Sequence, residues 1–212
     1  MMKRIEFLTK PSPTAEPPTR QDIRRNDLLL LAFVVFCLIL GWGIRGRALD
    51  HSQRVDLGEG LPTVAIPANW LTSSSEQTLF QARNPGSPSG FKAEIDATAM
   101  PIREGDTLDS TRTAVSFQRS QELDRYRELT AEPVAVLGGE PAVLVTYAFI
   151  ADPTRDSGAS GLPVVVEAQD LLFRAGNQWL VLSVLADANH FDAEMKNFQL
   201  VFDSLEMERS DE

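Results

Sequence analysis

Val134-Ala-Val-Leu-Gly-Gly-Glu-Pro-Ala-Val-Leu-Val-Thr-Tyr-Ala-Phe-Ile150 reads as two strands joined by a glycine turn. Gly138 and Gly139 supply the positive φ that a tight hairpin needs. The return strand, Ala142–Ile150, is apolar at odd and even positions alike. Successive strand side chains point to opposite faces, so such a strand belongs at the centre of a sheet covered on both sides. A hairpin connection makes its neighbours antiparallel.

The segments on either side continue this theme. Asp152–Pro163 is a loop rich in Asp, Ser, Gly and Pro. Val164–Arg174 and Gln178–Asp187 form a second hairpin around Ala175-Gly-Asn177, and the latter strand is again apolar on both faces. Phe191, Met195, Phe198, Phe202 and Leu205 then recur at helical spacing and predict an amphipathic helix that packs on the sheet. Upstream, Leu61–Ile66 predicts a strand ending at Pro67-Ala-Asn-Trp70. Thr78–Asn84 predicts another, stopped by Asn84-Pro-Gly-Ser-Pro-Ser-Gly90. Phe91, Ala93, Ile95, Ala97 and Ala99 alternate with Lys92, Glu94, Asp96 and Thr98, which predicts a strand with one face on a core and the other in water. A helix follows, capped by Asp106 or Thr107 and running to about Gln121. The order β-β-β-α-β-β-β-β-α gives an α+β class: an antiparallel sheet sandwiched by helices. No βαβ series supports a parallel nucleotide-binding sheet.

Seventeen residues, Leu28–Ile44, carry no charge. As a helix they would span roughly 25 Å, the short end of what crosses a hydrocarbon core. Arg25 and Arg45 can snorkel, and Trp42 sits where an interfacial aromatic would. The run has no amphipathic period, which sets it apart from a buried core helix. Twenty-seven residues precede it and no small-x-small pattern follows it, which separates it from a cleaved signal peptide. Cys37, the single cysteine, is mid-run and follows Val35-Phe36, unlike a lipoprotein cysteine. The expectation is an uncleaved anchor that contacts the lipid bilayer through Leu28 to Ile44. Six basic residues before it (Lys3, Arg4, Lys10, Arg20, Arg24, Arg25) against three after it (Arg45, Arg47, Arg54) place the N-terminus in the cytoplasm. The implied organisation is a disordered cytoplasmic tail over 1–27, the span over 28–44, a juxtamembrane linker over 45–60, an extracytoplasmic domain over 61–205 and an acidic tail over 206–212. The Pro-rich Pro11–Arg20 is a solvated tail or a docking peptide.

Residues 48–212 hold 12 Lys and Arg against 26 Asp and Glu, a net charge of −14. Such a domain repels phosphate backbones, so nucleic acid is excluded as a partner. One cysteine permits no internal disulfide. Burial of apolar surface alone must hold the fold.

No catalytic, cofactor-binding or metal site is expected. His51 and His190 stand 139 residues apart, with no thiol to help them hold a metal. Gly86-Ser-Pro-Ser-Gly90 lacks the nucleophile-elbow order, and its prolines break the strand–turn–helix that such a site needs. Glu104, Asp106 and Asp109 could hold a weak calcium ion, but helix capping explains them better. Asp152-Pro-Thr-Arg-Asp156 could likewise ligate a cation, but reads as a polar turn.

Three strings resemble PsbP-like domains. Ala65-Ile-Pro-Ala-Asn-Trp70 is similar to their P-x-x-W opening. Leu129–Ala142 is similar to the strand, glycine turn and strand after their first helix. Asn189–Leu205, ending in Phe202-Asp-Ser-Leu205, is similar to their closing helix. The superfamily includes the PsbP extrinsic subunits of photosystem II, DcrB-like periplasmic proteins and LpqN-like lipoproteins. The resemblance covers about Leu61–Leu205 and implies an antiparallel sheet sandwiched by helices. It also implies an accessory or binding protein rather than an enzyme. The histidines that bind metal in some plant PsbP proteins have no counterpart here. The functional expectation is a non-enzymatic accessory or interaction protein in the cell membrane, with a protein partner in or at the membrane. An extracytoplasmic small-molecule carrier or sensor is the alternative.

Overall fold

The computed structural model describes residues 20–49, 52–75, 78–152, 162–206 and 208–209. The chain forms two compact units, residues 1–48 and 49–212.

In the first unit, helix α1 spans Arg20–Leu49, and its side chains are described for residues 27–42. Those side chains are exposed, from Leu28 at 69% to Trp42 at 80%. Among the described residues no helix is long and apolar enough to cross a membrane. The segment Leu28–Ile44, expected as a membrane-spanning helix, is helical throughout as part of α1.

The second unit is a large antiparallel sheet with cover on both faces. Its strands are β3 (Leu71–Ser73), β4 (Phe80–Arg83), β5 (Glu94–Pro101), β6 (Asp124–Val136), β7 (Glu140–Ala151), β8 (Val164–Ala175), β9 (Gln178–Asp187) and β10 (Glu208–Arg209). They lie in the order β10-β6-β7-β8-β9-β5-β4-β3. A separate hairpin pairs β1 (Ser52–Asp56) with β2 (Thr63–Pro67). The helices are α2 (Leu108–Glu122) and α3 (Phe191–Ser204).

The two-faced strands do what their composition demands. On β9, Leu180, Leu182 and Val184 enter one core, while Trp179, Val181 and Leu185 enter the other. On β7, Leu144 and Val145 divide in the same way. Helix α3 and the β1–β2 hairpin close the first core. Phe198 is fully buried, edge-on to Trp70 with centroids 6.3 Å apart, and the Ser204 hydroxyl accepts a hydrogen bond from Ala65 N at 3.0 Å. Helix α2 closes the second core over β6, β7 and β8.

Some expectations need revision. β1 lies inside the segment read as a linker and pairs with the adjacent β2, and β10 lies inside the segment read as a tail and pairs with the distant β6. Glu94, Asp96 and Thr98 do not face open water but are half-buried: Glu94 is bonded by Gln81 and Arg83, and Asp96 and Thr98 line a cleft beside α2. The β6–β7 turn begins one residue early: Leu137 itself takes φ 51° before Gly138 and Gly139. Its N–H donates to Leu205 O at 2.8 Å, which ties the turn to the end of α3.

Candidate functional site

Helix α2 begins with a reciprocal cap: Ser110 N donates to Thr107 Oγ1 and Thr107 N donates to Ser110 Oγ. Of the two expected caps, Thr107 fills the role, and the helix ends at Glu122. Arg112, Val115, Ser116 and Arg119 recur at helical spacing and form its inward stripe. Two arginines on a half-buried stripe call for anions opposite them, and the sheet provides these. Arg112 Nη1 donates to Glu128 Oε1 at 2.8 Å, and Ser116 Oγ donates to Glu128 Oε2 at 2.7 Å. Arg119 Nε donates to Asp170 Oδ2 at 3.1 Å, and its Nη2 donates to Ser183 Oγ at 2.9 Å. The fully buried Tyr147 donates from its hydroxyl to Asp170 Oδ1 at 3.0 Å. Both oxygens of Asp170 are thus satisfied, as a buried carboxylate demands.

Asp96 completes this network from the neighbouring strand. It stands opposite Ser183 in the β5–β9 ladder and accepts a hydrogen bond from that hydroxyl. Burial pushes its carboxyl up to about 7, against the attraction of Arg119 and with the help of Asp170 and Glu94. Burial disfavours the charge on Arg119, but Asp170, Tyr147 and Asp96 together outweigh it, and the guanidinium pKa is raised above its ordinary value. Burial, and then the Asp170 charge, hold the Tyr147 phenol well above its ordinary value.

Beside this network a cleft of about 530 Å³ opens between α2 and β5. Asp96, Thr98, Gln118, Arg119 and Glu122 line it, together with Met100 and Val181. A second hollow of about 430 Å³ lies past Glu122, floored by Phe91, Phe149 and Leu185. The cleft contains no histidine or thiol. It offers a carboxyl that exchanges its proton near neutral pH, hydroxyl and amide groups, and apolar wall.

The residues weighed as ligands separate. Asp106 Oδ2 accepts from Arg103 N at 2.8 Å and closes a turn, while Asp109 pairs with Arg112 at 3.5 Å. Among the described residues no group of three His, Cys, Asp or Glu side chains could hold a metal ion. His51 and Asp156 lie outside the described residues. His190 is the first residue of the α3 cap and is partly exposed. The fold does bring Ser89, Asp187 and His190 together, which spacing alone does not suggest. Ser89 Oγ donates directly to Asp187 Oδ2 at 2.5 Å, and His190 Nδ1 stands 3.8 Å from that same oxygen. A nucleophilic serine needs the imidazole between it and the acid, so this trio ties a loop to α3 and activates nothing. The Ser89 hydroxyl is the main influence lowering the Asp187 pKa.

Asp96, Arg119, Asp170 and Tyr147 do not stand out in the sequence as a site. A signal was nevertheless present. Asp170 is followed directly by Leu171-Leu-Phe173, and Ser183 is flanked by Leu182 and Val184. A lone polar residue in a two-faced apolar strand implies a buried partner.

No protein-family model matches the sequence, and no characterised protein matches it by sequence. Solved structures do match. Cyanobacterial PsbP (CyanoP) from Synechocystis sp. aligns with a TM-score of 0.52 at 13% identity, covering 72% of this chain and 90% of CyanoP. LpqN of Mycobacterium tuberculosis, described as involved in cell envelope biogenesis, aligns at 0.47 with 14% identity over 71% of this chain and 87% of LpqN. The Saccharomyces cerevisiae Ran-binding protein Mog1p aligns at 0.47 with 13% identity, over 74% and 91% respectively. The likeness to CyanoP shows that the second unit has a PsbP-like fold, as the sequence resemblance implies. At this identity the likeness extends to the fold alone.

Proposed function

We propose that this protein is a membrane-tethered, non-enzymatic accessory or interaction protein. Leu28–Ile44 of α1 seats in the bilayer, the N-terminus is cytoplasmic, and the PsbP-like domain is extracytoplasmic, where it docks within a larger membrane complex. The observation that carries this reading is the unbroken apolar surface of α1, where Leu28, Leu31, Phe33, Leu38, Ile39 and Trp42 are all more than 60% exposed. Water tolerates scattered apolar side chains but rarely a contiguous band of them. The Lys and Arg excess before the run supports the orientation. Tethering would raise the local concentration of the domain at its partner. The non-enzymatic part rests on the chemistry present: Ser89 bonds to a carboxylate rather than to a base, and Ser183 is held by Arg119.

Fractionation of cells expressing the full-length chain tests this. The protein is expected in the high-speed pellet, resistant to salt and released by mild detergent, with a stoichiometric protein partner. External protease should remove the C-terminal domain from spheroplasts. A full-length chain that stays in the supernatant without detergent overturns the tether.

The cleft beside Asp96 favours a second reading, an extracytoplasmic small-molecule carrier or sensor. In that case a monomer would co-purify with a small ligand.

A further inference from the structure

The α2–β5 cleft has more negative charge than its neighbours neutralise. Glu94 is paired with Arg83 at 3.0 Å, and Asp170 with Arg119 at 3.1 Å. Arg119 spends Nε on Asp170 and Nη2 on Ser183. The Glu122 carboxylate accepts one hydrogen bond, from Gln118 Nε2 at 2.8 Å. Asp96 enters none of the ion pairs among the described residues; the Ser183 hydroxyl is its partner. Two carboxylates, Asp96 and Glu122, therefore line the cavity outside every ion pair among the described residues, and the cation that attracts Asp96, Arg119, is already paired with Asp170.

We propose that this cleft binds a primary alkylammonium group, with the ammonium on Asp96 and the alkyl stem along the apolar wall. An anion would meet the Asp96 and Glu122 carboxylates, and the guanidinium in the lining, Arg119, already has its charge balanced by Asp170. A neutral polar ligand could donate to the ionised carboxyl but would leave its charge uncompensated. An ammonium carries three donors and no acceptor, and the cleft presents acceptors: Asp96, Glu122 and the Thr98 hydroxyl, next along the same face of β5. A charge-assisted hydrogen bond is about twice as strong as a neutral one. Met100, Val115 and Val181 cover a methylene stem in the way that lysine side chains snorkel. The volume, about 530 Å³, lies within the usual range of small-ligand sites, roughly 300–1,000 Å³. The stem and head group could belong to a free amine or to a lysine side chain on a protein partner. This inference deepens the carrier or sensor reading and is independent of the membrane tether.

Binding must displace the Asp96 proton. With the carboxyl at about 7, uptake of one ammonium releases roughly 0.9 proton at pH 6 and about 0.1 at pH 8. Apparent affinity should rise about tenfold between the two. The other charged or titratable groups facing Asp96 are Glu94 on β5, Arg119 and Glu122 on α2, Asp170 on β8 and Tyr147 on β7.

The test is titration calorimetry on the full-length chain in non-ionic detergent, at pH 6 and pH 8, in buffers of differing protonation enthalpy. The probes are 1,5-diaminopentane and Nα-acetyl-lysine N-methylamide. Saturable one-to-one binding with the stated proton release is expected. Asp96→Asn should weaken it at least tenfold and abolish proton release, Glu122→Gln should weaken it less, and the α3 surface control Asp203→Asn should leave it unchanged. Preference for the diamine identifies a free amine as the source, and preference for the lysine analogue identifies a partner's side chain. No saturable heat from either probe at millimolar concentration, or an Asp96→Asn variant that binds as the parent does, overturns the proposal. Neither result bears on the fractionation test.

Discussion

Replacing Asp96 by asparagine should make the domain more stable, increasingly so as pH rises. The carboxyl moves from its ordinary 3.8 to about 7 on folding, chiefly through burial. Between those values the native state holds a proton that the unfolded chain has released. Stability therefore falls as pH climbs from about 4 to about 7 and levels off above. The whole span is worth up to ~4 kcal/mol, at about 1.4 kcal/mol per pH unit. From pH 5 upward some two-thirds of it remains, and water in the cleft screens part of that, leaving about 2 kcal/mol. Asparagine keeps the shape and cannot ionise. Urea unfolding of the parent and Asp96→Asn, followed by circular dichroism at pH 5, 6, 7 and 8, isolates this carboxyl from every other in the chain. The gap between the two free energies should widen by about 2 kcal/mol across the range, with asparagine the more stable. A gap constant to within about 0.5 kcal/mol would refute the idea that Asp96 is buried at the cost of its charge. The same substitution should weaken amine binding at least tenfold, a trade of stability against function that is common at ligand sites.

Three further outcomes follow from the packing. Asp170→Ala strips the partner from Arg119 and the acceptor from Tyr147, and should cost about 3–5 kcal/mol in urea unfolding. Phe198→Ala empties the space between Trp70 and Phe191 in the first core, and should cost about 3–5 kcal/mol by the same measurement. Leu137→Gly relieves the left-handed backbone at a position 40% exposed, and should raise stability by up to ~1 kcal/mol in thermal or urea unfolding; a loss would show that the leucine side chain outweighs the strain.

Much of this architecture could be read along the chain, because its signals are local. The composition of Ala142–Ile150 and Gln178–Asp187 demanded burial on two faces, and both strands lie between the two cores. Glycine turns set the hairpins, and the phenylalanine stripe of Phe191–Leu205 marked its helix. The uncharged run at Leu28–Ile44 marked α1 without settling what surrounds it. Alternation reports that a strand has two unlike faces, but cannot say what covers the polar one. Asp96 alternates like a surface residue. It is half-buried because β5 pairs with β9, more than eighty residues away, and because α2 crosses that side. Ser52–Asp56 has little strand character of its own and becomes β1 only against Thr63–Pro67. Arg119, Asp170, Ser183 and Asp96 come from four separate elements and meet only in three dimensions. Their charge states depend on how much water folding removes around them, a quantity that no local pattern of residues contains.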